Sequence, residues 1–283
     1  MKVSHCLRRL QRLMPLLWAC GLWLQAQPAQ AVISCTVSSP GYTAFYDTTA
    51  GTANNPTAIA TITCSRVLTD PSTQLYSLAT DQGTRSRSSS FRASLNGVDL
   101  NYDVYKDAAR STNWVSNPFT GTIDFGAGTS VSFPIPFYPS IWALQNVPAG
   151  LYTDTVTLTL TYGAATALAS YPVQIYVNTT CLISTPPGNV VFSYTSFQAA
   201  AAAASTTFAA NCTSGLPYTL SLDASGGTLL GINYSLVLPV TTGTGTGVNQ
   251  TYSINGTAAA NQVGSCATAT CSASATRTLT ITY

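Results

Sequence analysis

The chain has 283 residues, only 7% of them charged, with eleven Lys and Arg against nine acids and a net charge of +2. So sparse a positive charge argues against a nucleic-acid partner. All nine acids are Asp and the only histidine is His5, which argues against a Ser-His-Asp triad and histidine-based metal sites.

Lys2, Arg8, Arg9 and Arg12 precede a Leu- and Trp-rich run from Leu13 to about Ala26, and Ala29-Gln30-Ala31 forms an A-x-A cleavage site. Residues 1–31 therefore read as a secretory signal peptide. A lipoprotein site at Cys20 fits poorly, because Trp18 stands where a small residue is needed. Removing 1–31 takes away four of the eleven basic residues and turns the net charge to −2. No later apolar run approaches the length of a membrane span, so a soluble mature chain is expected.

Six cysteines follow: Cys35, Cys64, Cys181, Cys212, Cys266 and Cys271. An even number behind a signal peptide points to disulfides in an oxidising compartment. Cys35 and Cys64 are 29 apart and Cys181 and Cys212 are 31 apart, each pair near the start of a repeat, which pairs them and leaves Cys266 with Cys271. The competing zinc reading lacks both a Cys-x-x-Cys and a retained histidine, so no metal and no cofactor is expected.

In chain order the sequence alternates in the period-two manner of half-buried strands. Thr36 to Tyr46 is a strand broken at Pro40-Gly41, followed by a polar loop at 47–57. Ala58 to Cys64 and Leu75 to Asp81 are strands, with a polar stretch at 82–90. Phe91–Leu95 and Val98–Tyr105 flank Asn96-Gly97, the strongest short hairpin signal. A long loop at 106–120 precedes strands at about 129–138 and 152–162, and after 163–167 comes a strand at 168–178.

A second copy starts at Cys181. Leu182 to Tyr194 again carries a break, at Pro186-Pro187-Gly188, and Ala199 to Ala204 reads as a loop or single helical turn. Phe208–Cys212 corresponds to the strand ending at Cys64, Tyr218–Asp223 to Leu75–Asp81, and Ile232–Leu236 to Leu100–Val104. Gly243–Gly247 reads as a flexible turn. The closing Thr276-Arg277-Thr278-Leu279-Thr280-Ile281-Thr282-Tyr283 repeats Thr155–Tyr162, but nothing repeats the strand at 168–178. The expected fold is all-β: two tandem immunoglobulin-like β-sandwich domains, 32–178 and 179–283, the second lacking its final strand.

The early cysteine, Asn101-Tyr102, Trp114 and above all Pro148-Ala149-Gly150-Leu151-Tyr152-Thr153-Asp154-Thr155-Val156 running into Thr-Leu-Thr-Leu-Thr-Tyr resemble the spore coat protein U domain family. Both copies fit, although the second replaces the Gly-x-Tyr-x-Asp stretch with Cys271-Ser272-Ala273. The resemblance implies a subunit of an archaic chaperone–usher pilus, and for a two-domain member the tip adhesin, exported to the periplasm and displayed at the cell surface. It implies as partners a periplasmic pilus chaperone, an outer-membrane usher, a major or adaptor pilin donating an N-terminal strand, and an abiotic or host surface on which biofilm forms.

The repeat asymmetry gives these roles residues. Tyr171, Val173, Ile175 and Val177 would complete the first sandwich from within. Arg277, Leu279, Ile281 and Tyr283 would edge an open acceptor groove in the second. Only Val32, Ile33 and Ser34 lie between the expected cleavage and Cys35, too short an arm to donate, which predicts a terminal position. If each strand crosses the sandwich once, the distal loops are 47–57, 82–90, 106–120 and 163–167, and Trp114, Val115, Phe119, Ala164 and Ala165 form an apolar contact tip. Trp114 fits equally well in the core. Arg85, Arg87 and Arg92 could bind acidic glycans, and Asp99 and Asp103 are the candidate acid–base pair of an enzyme, with surface charge the favoured reading of both. A carbohydrate-binding module and a structural, spore-coat-like secreted protein are the alternatives to an adhesin.

Overall fold

The computed structural model describes residues 33–85 and 90–283. The expected signal peptide and Arg87 lie outside these residues. Among the described residues there are eighteen strands and no helix.

The first ten strands are β1 (Ser34–Ser38), β2 (Tyr42–Tyr46), β3 (Ala58–Ser65), β4 (Thr73–Thr80), β5 (Phe91–Leu95), β6 (Val98–Tyr105), β7 (Phe119–Asp124), β8 (Ser130–Ile141), β9 (Gly150–Tyr162) and β10 (Ala165–Val177). They make a sandwich with β1-β3-β8-β6-β5 on one face and β7-β4-β9-β10-β2 on the other. The faces join where β5 meets β9 at Ser94–Thr153. Alternation decides which side chains go inside. Along β9, Tyr152, Val156, Leu158 and Leu160 are fully buried while the intervening threonines face out.

The Pro40-Gly41 break lets the first strand serve both faces: β1 pairs with β3, and β2 crosses over to run parallel to β10. Strand β10 lies antiparallel to β9 along its whole length, from Ala165–Tyr162 to Val177–Gly150. Tyr171, Val173, Ile175 and Val177 are all buried in the core.

The remaining strands are β11 (Cys181–Thr185), β12 (Ala202–Cys212), β13 (Pro217–Leu222), β14 (Gly226–Leu229), β15 (Ile232–Val237), β16 (Thr242–Thr244), β17 (Gln250–Ala258) and β18 (Leu279–Thr282). They form a five-stranded sheet, β11-β12-β17-β15-β14, and a three-stranded sheet, β16-β13-β18. Neighbour for neighbour this is the first sandwich again. Its five-stranded face is complete, and its other face stops at the counterparts of β7, β4 and β9.

Several local expectations are corrected. Ala202–Ala204 belongs to β12, where pairing with β17 overrides the helix preference of alanine. Phe119 opens β7 rather than closing a loop, because Phe119–Asp124 pairs with β4. Gly243 sits in β16, paired with Tyr218. The hairpin of β14 and β15 turns at Leu230-Gly231, both at positive φ like Asn96-Gly97, with Leu in the place where Asn is the usual signal.

Candidate functional site

Two residue pairings fix the correspondence between the halves. Gly121 of β7 lies against the Tyr76 ring, and Gly243 of β16 against the Tyr218 ring, so closely that a Cβ on either glycine would clash with it. Tyr218 is thus the counterpart of Tyr76, and Leu220 of Leu78. Because Leu78 faces Leu160 and Leu220 faces Ile281, strand β18 takes the place of β9, with Leu279 at Leu158 and Tyr283 at Tyr162.

A hydrogen-bonded clamp is also shared. In the first half the Gln145 backbone N–H donates to the Tyr46 hydroxyl at 2.8 Å, while its side chain accepts from the Asn101 N–H at 2.7 Å and donates to the Asn101 carbonyl at 2.9 Å. In the second half Gln262 makes the same three bonds, to Tyr194 at 2.9 Å and to Asn233 at 2.7 and 3.0 Å. Tyr194 is therefore the counterpart of Tyr46 in β2. The segment 189–194 has Val190, Phe192 and Tyr194 turned inward, although no strand is assigned there.

In the second half β18 and 189–194 thus take the places of β9 and β2, and among the described residues no strand takes the place of β10. Among the described residues β18 is paired only with β13. The effect on burial is direct. Leu158 and Leu160 are fully buried beneath β10, whereas Leu279 and Ile281 are only half-buried and Tyr283 is 58% exposed. Behind them lies a small core of Phe208, Tyr218, Leu220, Leu236 and Ile254. Arg277 faces inward at the same edge and donates to the Tyr234 hydroxyl at 2.7 Å and the Gly226 carbonyl at 2.9 Å, on the opposite sheet.

The disulfides join Cys35 to Cys64, Cys181 to Cys212 and Cys266 to Cys271. The first two tie β1 to β3 and β11 to β12 at equivalent positions.

The expected contact tip is not assembled as the sequence suggests. Trp114 is fully buried: its indole N–H donates to the Leu78 carbonyl at 3.0 Å, and its ring packs edge-on against Phe119 and tilted against Phe137. Val115 and Phe119 are packed against the same core, with the Lys106 ammonium 5.0 Å from the Phe119 ring centre. Residues 106–118 cross from β6 to β7 and seal the side of the sandwich, so their apolar side chains serve packing.

The assumption about which loops are distal also fails. Because β2 runs parallel to β10 and Tyr46 pairs with Val177, loop 47–57 lies at the end where the chain leaves the first sandwich. Thr84 donates to Asp154 midway along β9, which folds the start of loop 82–90 back along the sheet. Among the described residues of the four loops, only 163–167, with Ala164 and Ala165 exposed, occupies the far end. Its companions there are 66–72 and 125–129, laced together by Arg66, which donates to the carbonyls of Gly128, Asp70 and Gly126. Val67, Leu68, Leu75 and Leu168 are 61%, 70%, 71% and 70% exposed in this region. Sequence reasoning missed them because 65–74 reads only as a loop, and Leu75 and Leu168 as the first residues of half-buried strands.

Arg85 and Arg92 both bond to Asp99, at 3.2 and 3.3 Å, leaving neither as an isolated cation. Asp103 accepts from the Trp142 indole at 2.8 Å. Inside the sandwich burial pushes the phenol pKa values of Tyr42 and Tyr102 well above the ordinary value, reinforced at Tyr42 by Tyr171 and Asp154 and at Tyr102 by Tyr42, Asp154 and Tyr171.

Residues 23–159 match the model of the Spore Coat Protein U domain. The match ends inside β9, so β10 and the second sandwich lie beyond it, and the resemblance extended to both copies is supported by the family model for the first. A stretch of 63 residues is 38% identical to Protein U of Myxococcus xanthus, taking in 22% of this chain and 34% of that protein. The chain thus spans about a third of the curated relative it matches, 34% of its length. Among solved structures, the chaperone–tip adhesion subunit pre-assembly complex of the archaic chaperone–usher Csu pili of Acinetobacter baumannii is similar at 15% identity and a TM-score of 0.48, covering 88% of this chain and 100% of that one. The CupB6 tip adhesin of Pseudomonas aeruginosa is similar at 8% identity and a TM-score of 0.39, with 89% and 95% covered.

Proposed function

We propose, from the premise that residues 23–159 match the spore coat protein U domain family, that this chain is a subunit of a chaperone–usher pilus whose second sandwich takes a donor strand from another polypeptide. One observation carries the reading. The smaller face of the second sandwich has three strands where its counterpart has five: segment 189–194 stands in the place of β2 without strand pairing, and the position of β10 is unfilled. An extended segment laid beside β18 would pair its free backbone groups and cover Leu279 and Ile281. Burying about five apolar side chains would contribute roughly 8–15 kcal/mol as an upper bound.

In this reading the export route is periplasmic. A periplasmic chaperone covers the groove first, an outer-membrane usher passes the subunit on, and a pilin strand replaces the chaperone. The first sandwich, filled by its own β10, has no groove to offer and is free to act as the adhesive head at the pilus tip, which supports surface attachment and biofilm. Its contact surface is the far end, with Val67, Leu68, Leu75, Leu168, Ala164 and Ala165.

The test is to append a second copy of residues 163–178 behind Tyr283, so that a hairpin supplies the strand from within. Urea unfolding of the full chain should then show the second sandwich shifted to higher denaturant, with 189–194 protected from proteolysis. An unchanged second transition would sink the donor-strand reading.

A further inference from the structure

Arg277 stands where β9 has Val156. The register follows from Leu160 and Ile281 facing equivalent leucines, each four residues further along, with Arg277 two residues ahead of β18. Val156 is fully buried and lies directly opposite Tyr171 of β10. Arg277 thus places a permanent positive charge at a position built for an aliphatic side chain, on the edge of the unfilled groove.

The second half does little to neutralise it. Residues 179–283 contain one acid, Asp223, and one base, Arg277. Asp223 is exposed, and the ion pairs among the described residues both involve Asp99 of the first half. The guanidinium donates to the Tyr234 hydroxyl and the carbonyls of Gly226 and Thr276, all uncharged, and its Nε is buried without a partner. Its face also lies 5.7 Å from the Tyr234 ring centre. A strand entering beside β18 would remove the remaining water from this charge. Deepening an unpaired charge is costly, and a hydrogen-bonded carboxylate is the partner that offsets the loss.

Resting on the donor-strand reading above, we propose that the segment occupying this groove carries an acidic side chain at the position where β10 has Tyr171, and that its carboxylate pairs with Arg277. The groove then selects its occupant by charge as well as by alternating apolar side chains. Tyr171 itself fills the equivalent place in the first sandwich, where Val156 asks for no charge, so the two grooves call for different strands. A mismatch would leave the arginine buried without its partner, which discriminates against wholly apolar donors.

The appended-strand protein described above tests this within one chain. Three versions of the appended copy are compared in the full-length protein: Tyr171→Glu, Tyr171→Leu, and Tyr171→Leu with Ser170→Glu, which carries the same charge on the outward face. The expected result is a second unfolding midpoint higher for Tyr171→Glu than for either other version, by about 1–2 M urea, the shift that follows from losing a buried partner at ordinary denaturant slopes. Arg277→Val should reverse the order, with Tyr171→Leu the most stable. Equal midpoints for Tyr171→Glu and Tyr171→Leu, or a higher one for Tyr171→Leu with Arg277 present, overturn the charge pairing while leaving the donor-strand reading standing. No stabilisation by any version overturns both.

Discussion

Tyr102 and Asp154 meet inside the first sandwich, the hydroxyl donating to a carboxylate oxygen at 2.8 Å. Asp154 is almost fully buried, and no cation balances it in the ion pairs of the described residues. Its charge is held by donors alone: the Thr84 N–H and hydroxyl at 2.9 and 2.7 Å and the Thr155 N–H at 2.8 Å complete the set. Gly83, at φ 77°, approaches the carboxylate so closely that no Cβ would fit. The aspartate therefore ties the loop after β4 to β9 and to the opposite sheet.

Removing the tyrosine hydroxyl with Tyr102→Phe should lower the stability of the first sandwich by about 1.5–3 kcal/mol, the range for a hydrogen bond to a charged group. Asp154→Ala should cost more, because it orphans several donors at once and releases 81–85 from the sheet. Urea unfolding of the full chain reads both. A Tyr102→Phe midpoint indistinguishable from the parent would show the contact to be energetically idle.

The same core sets an alkaline limit. Burial raises the phenol pKa values of Tyr42, Tyr102 and Tyr171 above the ordinary 10.0. A folded pKa above the unfolded one means the native state withholds ionisation that the unfolded chain accepts. The stability so contributed is complete below about pH 10 and declines as pH rises beyond it. The thermal midpoint of the first sandwich should fall steeply above about pH 10, and late tyrosinate absorbance should appear together with loss of structure. Tyrosinate signal from all tyrosines before any unfolding would contradict this.

The clamp on the groove wall makes a third prediction, because the halves differ in what else holds it. Segment 189–194 hangs on Tyr194 and Gln262, whereas β2 has β10 beside it as well as Gln145. Gln262→Ala should free 189–194 to proteolysis and loosen the groove wall, at about 0.5–1.5 kcal/mol, the net worth of a hydrogen bond whose partners water can reach. Gln145→Ala should cost a similar amount yet leave β2 protected. Equal protease sensitivity in the two variants would argue that the wall does not depend on the clamp.

How much of this could be read beforehand follows from which interactions are local. Strand alternation is local, so most strands, the three cysteine pairs and the repeat of Thr155–Tyr162 at Thr276–Tyr283 were visible in the order of residues. Asn101 and Asn233 were aligned, but their partners Gln145 and Gln262 lie in irregular segments with no period to mark them. Arg277 falls on the inward face by alternation alone, but its partners Tyr234 and Gly226 sit on the opposite sheet, which no local pattern reveals. Loop ends were misjudged for a related reason. Parallel pairing of β2 with β10 cannot be inferred from composition, and it moves loop 47–57 to the other end of the sandwich. Trp114, Val115 and Phe119 were apolar because they seal a crossing between sheets, which looks the same in sequence as an exposed tip.

The last prediction concerns the far end of the first sandwich. Val67 and Leu68 stand on a framework made rigid by Arg66 and by the Val67 N–H donating to Asp70 at 3.0 Å, so their side chains are presented rather than collapsed. Leu168 faces outward from β10 beside Thr159, and Leu75 from β4. None of these four contributes to the buried core, so replacing them should leave folding intact. Val67→Ser with Leu68→Ser, and separately Leu168→Ser, should change the unfolding free energy by no more than about 0.5 kcal/mol. If this end is the contact surface, the double variant should reduce attachment of pilus-bearing cells to hydrophobic plastic several-fold while export and pilus number stay constant. Val115→Ser with Phe119→Ser serves as the contrast, since those side chains are packed against the core and their replacement should lower stability and export together. Full attachment by the Val67→Ser, Leu68→Ser, Leu168→Ser triple variant would move the adhesive surface elsewhere on the molecule.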